Sequence, residues 1–248
     1  MTSTVLSFSR RVAPAPLLSV TRDQLIAYLG TEGWSPLTRR TYRTTLVSFY
    51  EWATQTGLVP VNPASRLPRT RVPYSEPNPL STDQINRLLG SGVRRRTQMM
   101  ILLAAYQGLR AAEIARVHGR DVIDCTLHVP EGKGGTSLRR PLHPAVLATS
   151  AGFPRDGYWF PGNGRPHIDG RSVSATIGQA MRRAGIEGHR PHQLRAWHAT
   201  ELIRAGVDAV TVQHSMRHAT LGTLHKYVHP DAADVRAAIS LLPRLEPA

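Results

Sequence analysis

At 248 residues, with 41% hydrophobic and 19% charged content, the chain is globular in composition and long enough for two modest domains. Its formal charge of +14 favours a polyanionic partner, and DNA or RNA fits better than an anionic membrane because no segment resembles a membrane-surface helix. The longest apolar run, Met99 to Tyr106, has eight residues against the roughly 20 that cross a bilayer; one cysteine, Cys125, excludes an internal disulfide framework.

The first residues, 1–16, read as a short polar leader with no secretion signal, and with the single cysteine they place the protein in the cytoplasm. Residues 17–66 then read as a small helical domain. In TRDQLIAYLG, Thr21 and Gln24 have capping-box spacing. In SPLTRRTYRTTLVSFYEWATQTG, Ser35 suits the cap, Pro36 the first helical position and Gly57 the exit. Tyr42, Leu46, Phe49 and Trp52 recur at helical spacing and predict the buried face, with Arg39, Arg40 and Arg43 towards the other side. Those arginines are either a solvated face or contacts to phosphate.

Residues 67–79, LPRTRVPYSEPNP, carry four prolines in thirteen positions and read as an interdomain linker. The second domain, 80–248, opens with a capping box at Ser81 and Gln84, followed by the apolar helix TQMMILLAAYQG. The period then changes: CTLHVP and SLRRPLHP predict two short strands around the Gly-rich turn EGKGG. Beyond Arg171 the pattern is helical again in RSVSATIGQAMRRAG, PHQLRAWHATELIRAG and DAVTVQHSMRH. A tail helix is predicted over Asp231–Leu242, either docked on a neighbouring copy or capping its own domain. The expected fold is mainly α, an all-helical (SAM-like) N-terminal domain plus an α-rich domain with a small antiparallel sheet.

Seven of the eleven histidines lie between His189 and His229, and the pairs His214/His218 and His225/His229 have a spacing that can hold Zn²⁺. There is no HExxH, cysteine partner or carboxylate pair to complete a site, so no metal and no cofactor is expected. GKGG lacks the spacing of a Walker loop, and no GxSxG elbow is present.

What remains is a constellation: GLRAAE with Arg110, GKG with Lys133, HQLR with His192 and Arg195, and HSMRHATLGTLHKY, in which Tyr227 follows His218 by nine residues. In this order and spacing the residues resemble the tyrosine recombinase, or phage integrase, family. The resemblance covers roughly Leu17 to His229, since residues 17–66 also resemble the family's core-binding domain, with its Asn-Pro close at Asn62-Pro63. Two positions depart from the family pattern. Met216-Arg217 replaces Leu-Gly, where an arginine in a left-handed exit costs about 1 kcal/mol more than glycine, and Ala196 follows the second arginine.

The resemblance implies site-specific recombination of DNA for a phage or other mobile element, by a compact form without an arm-binding domain. Chromosomal dimer-resolving and transposon-associated recombinases share the same residues. The rivals of other classes are a DNA-binding protein without catalysis and a zinc enzyme. The resemblance further implies Tyr227 as nucleophile, Arg110 and Arg195 as phosphate clamps, Lys133 as general acid, His192 as acceptor of the tyrosine proton or phosphate ligand, and His218 as a hydrogen-bond donor to a non-bridging oxygen. Only two lysines occur beside twenty-nine arginines. An arginine cannot give up a proton at useful pH, whereas an ammonium can, which suits Lys133 to that role. Lys226 matches no catalytic position and is a DNA-backbone contact or a surface charge; Arg139 and Arg140 are further candidate DNA contacts. The implied partners are duplex attachment sites clamped between the two domains, a homotetramer on two duplexes, and an accessory directionality factor.

Overall fold

The computed structural model describes residues 2–13, 16–73, 78–129 and 138–216. The chain divides into two compact units, Met1–Ser75 and Glu76–Ala248, and the described residues are mainly helical with one three-stranded sheet.

The first unit contains α1 (Thr2–Val12), α2 (Arg22–Leu29) and α3 (Pro36–Gln55). Thr21 accepts the amide of Gln24, whose side chain returns to the Thr21 N–H, completing the capping box of α2. Ser35 caps α3 by accepting the Thr38 amide, with Pro36 at the first position; Gly57 leaves the helix at φ +74°, the left-handed exit that favours glycine. Two expectations are corrected. The residues read as a polar leader before the first helix contain a helix of their own: α1 packs on α3 and buries Phe8, whose ring meets Tyr28 edge-on at 4.8 Å. The buried stripe of α3 runs through Leu46, Tyr50 and Ala53, while Trp52 is half exposed. Tyr50 wins the inward position because its hydroxyl donates to the Leu17 carbonyl at 2.8 Å, satisfying the polar end of a buried ring.

The second unit contains α4 (Thr82–Gly90), α5 (Arg95–Tyr106), α6 (Ala111–Ala115), β1 (Val122–Ile123), β2 (Thr126–Val129), β3 (Leu138–Pro141), α7 (Pro144–Ser150), α8 (Gly170–Arg183), α9 (His192–Arg204) and α10 (Ala209–Met216). Helix α5 is its axis: Met99 to Ala105 are all buried, and α6, α7, α8 and α9 pack around them. A helix apolar on every side is stable only when neighbours cover every side. The sheet is antiparallel in the order β1-β2-β3, with Leu127 opposite Arg140 and Val129 opposite Leu138. Strand β1 escapes the sequence pattern because the turn before β2 is Asp124-Cys125, both at positive φ, where Asn-Gly is the usual signal. The hairpin tip with Lys133, the tail helix, and His218, His225, Lys226, Tyr227 and His229 lie outside the described residues. No helix among the described residues is long and apolar enough to cross a membrane.

Candidate active site

The site is built on the end of α5. A helix leaves its last four carbonyls without intrahelical partners, and its dipole makes that end negative. Here the Leu109 amide returns to the Leu103 carbonyl at 3.1 Å. Three carbonyls that follow are taken by side chains from elsewhere in the unit. His198 Nδ1 donates to Ala105 O at 2.9 Å, Arg140 donates to Gln107 O, and Arg195 donates to Gly108 O. A second nitrogen of Arg195 donates to Met216 O, the last residue of α10.

Gly108 sits at φ +55°, and a Cβ there would lie 2.7 Å from His198 Cδ2 and 3.2 Å from the Met216 sulfur. Both the backbone angle and the close approach require glycine. Two residues on, the chain presents Arg110. Its backbone N–H donates to Glu113 Oε2 at 2.8 Å and its guanidinium to Glu113 Oε1 at 3.2 Å. Glu113 thereby orients an arginine that remains half exposed. The GLRAAE pattern is a device in which glycine makes the turn, arginine leaves it, and glutamate holds the arginine.

Helix α9 supplies the rest. His192, Arg195 and His198 succeed one another at i, i+3 and i+6, so they descend one side of the helix. His192, at the exposed N-terminal end, has its pKa held below the ordinary value by desolvation and by Arg190. It is neutral at pH 7 and able to accept a proton. His198 lies deeper. Burial, with Arg140 and Arg195 nearby, pushes its pKa down to about 4, so it is neutral as well.

The sequence from 78 to 234 matches the model of the phage integrase family. The chain belongs to this family. Among its relatives, the tyrosine recombinase XerC of Xanthomonas campestris is 28% identical over 80% of this chain, which spans 66% of that protein's length. The integrase of mycobacterium phage Brujita is 36% identical, with a TM-score of 0.55 over 98% of this chain and 86% of its own. A lambda integrase dimer bound to a COC′ core site shares the fold, with a TM-score of 0.70 over 88% of this chain and 86% of its own at 20% identity.

Within this tyrosine recombinase, the structure joins Arg195 to the Gly108 turn that carries Arg110, and His192 lies one helical turn from Arg195. It also ties Arg195 to Met216, two residues before His218 in the chain. Among the expected DNA contacts, Arg40 and Arg139 are exposed. Arg43 instead donates twice to the Leu67 carbonyl, at 3.1 and 2.9 Å, and Arg39 reaches Thr31 O at 3.3 Å. Arg140 is a correction: it is buried, because the pairing of β2 with β3 turns it inward onto the end of α5. Sequence reasoning missed the parts played by Glu113 and His198. The Glu113 signal was present in GLRAAE; that of His198 is a contact across 93 residues, invisible to local spacing. Among the described residues, no three His, Cys, Asp or Glu side chains gather as metal ligands would.

Proposed function

We propose that this chain recombines duplex DNA at specific sites, cutting and rejoining strands through a 3′-phosphotyrosine intermediate. One observation supports it most: Arg195, on α9, is bonded to the Gly108 carbonyl of the turn that presents Arg110, so two arginines from distant parts of the chain are tied through one stretch of backbone.

The chemistry follows from what each group can do. The Tyr227 phenol attacks the scissile phosphorus in line, giving its proton to His192, while the P–O5′ bond breaks. The departing 5′-oxygen takes a proton from Lys133 and leaves as a free hydroxyl. Negative charge concentrates on the non-bridging oxygens, where the planar forks of Arg110 and Arg195 and the imidazole of His218 stabilise it. The phosphotyrosine ester conserves the bond energy, so a 5′-hydroxyl of a second duplex reverses the step without ATP or metal. Four copies on two duplexes supply four tyrosines for the two rounds of exchange, with a directionality factor as an accessory. Arg40, Arg139 and Lys226 are proposed as backbone contacts. The setting is DNA in the cytoplasm of the host cell.

A phage or other mobile element is the proposed origin, supported by the 36% identity to the phage Brujita integrase. The XerC likeness favours a second reading, resolution of chromosome dimers. The test is a nicked duplex carrying the junction sequence at which the element is found. Wild-type protein forms a covalent protein–DNA adduct with EDTA present, and Tyr227→Phe binds the same duplex without forming it. Adduct formation by the phenylalanine variant, or an absolute need for divalent ions, sinks the mechanism.

A further inference from the structure

His198 belongs to none of the roles above, yet it occupies the centre of the turn. Its Nδ1 faces a carbonyl, which can only accept, so the proton of the neutral ring sits on Nδ1 and the lone pair on Nε2. Nε2 is buried and has no hydrogen-bond partner among the described residues. A buried acceptor left unmade costs free energy. A phenylalanine ring would fill the same space without that cost, so an imidazole is favoured here only through the bond from Nδ1 to Ala105.

The ring also rests against Gly108 so closely that a single methyl there would collide with it. On the far side of the same residue, the Gly108 carbonyl is held by Arg195, which stands one helical turn before His198. The turn is thus gripped from two sides by one helix. Arg110 follows two residues later, and its guanidinium can be no better placed than the backbone that carries it.

We infer that His198 is a positioning residue for DNA cleavage: it braces the Gly108–Arg110 turn and thereby fixes where Arg110 and Arg195 meet the scissile phosphate. The inference rests on the recombinase reading. A misplacement of about 1 Å at a reacting centre can cost about 100-fold in rate, and a loosened turn moves Arg110 by distances of that order.

The test compares wild type, His198→Phe and His198→Asn on the nicked junction duplex, reading adduct rate at saturating DNA, DNA affinity and melting temperature. His198→Phe keeps the ring but loses the donor. It is expected to melt close to wild type, bind DNA within twofold, and form adduct about 100-fold more slowly. His198→Asn restores a donor near the position of Nδ1 and is expected to recover at least tenfold of that loss. A phenylalanine variant as fast as wild type overturns the inference, as does an asparagine variant no faster than phenylalanine. Should the phenylalanine variant not fold, His198→Asn against His198→Ala gives the same contrast of donor and no donor, and equal rates overturn the inference. Wild-type protein that forms no adduct under these conditions defeats the recombinase reading itself, and the inference with it.

Discussion

Arginine does different work in the two units. In the first, Arg43 crosses from α3 to the Leu67 carbonyl and ties the end of the domain to its longest helix, around a core of stacked and edge-on rings: Phe8, Tyr28, Trp34 and Tyr42. In the second, Arg140 and Arg195 converge on consecutive carbonyls of one helix end, beside a core made mostly of Leu, Ile, Val, Met and Ala, and leave Arg110 half exposed. The same bond, guanidinium to backbone carbonyl, closes a fold in one place and assembles a charged site in the other. A high arginine count therefore does not measure a DNA-binding surface, since several of the charges are turned to internal carbonyls.

The comparison can be broken at several points. Arg195→Lys keeps the charge but cannot span Gly108 and Met216. Its adduct rate should fall about 1,000-fold, by analogy with the loss of one donor at a transition-state oxyanion; a loss under tenfold would make Arg195 a fold-closing residue like Arg43. Gly108→Ala forces a side chain into a left-handed angle and against the His198 ring. Denaturant titration of the full chain should show a loss of about 3 kcal/mol.

Acid offers a third handle. Because His198 titrates near 4 in the fold against 6.5 when exposed, the unfolded chain binds a proton between those values that the native state refuses. Stability from this group is complete above pH 6.5 and declines as pH falls towards 4, by up to about 3 kcal/mol. The difference between wild-type and His198→Phe stability curves should show that slope, and parallel curves would place the imidazole in water. Arg43→Ala should cost about 1.5 kcal/mol through the orphaned Leu67 carbonyl, with the adduct rate on saturating DNA unchanged. Arg40→Ala should be smallest, within about 0.5 kcal/mol in stability, lowering the salt dependence of DNA binding by about one phosphate contact.

The sequence made the cores legible wherever the determinants are local. The caps at Thr21, Ser35 and Ser81, the apolar run of α5 and the two-strand hairpin each depend on neighbours a few residues apart. Helix α1 was not legible, since TSTVLSFSRRV is anchored mainly by Phe8, whose partner Tyr28 is twenty residues away. Helix α7 is too short for a period, and its cap is a histidine, His143, stacked on Tyr106 at 3.9 Å. At the candidate site, Arg110, His192 and Arg195 were proposed from their order and spacing through the family resemblance. Spacing could not announce which arginines face inward, because Arg139 and Arg140 are adjacent in sequence and only strand pairing separates exposed from buried.

The two carbonyls held by Arg195 have a consequence for how a phosphate is met. A free arginine side chain carries about 2 kcal/mol of rotamer entropy, which binding must remove. Here folding has already removed it, and the plane of the guanidinium is set before any DNA arrives. In the proposed role, a phosphate would meet a rigid edge instead of a swinging arm, and little of its binding energy would go to ordering this side chain.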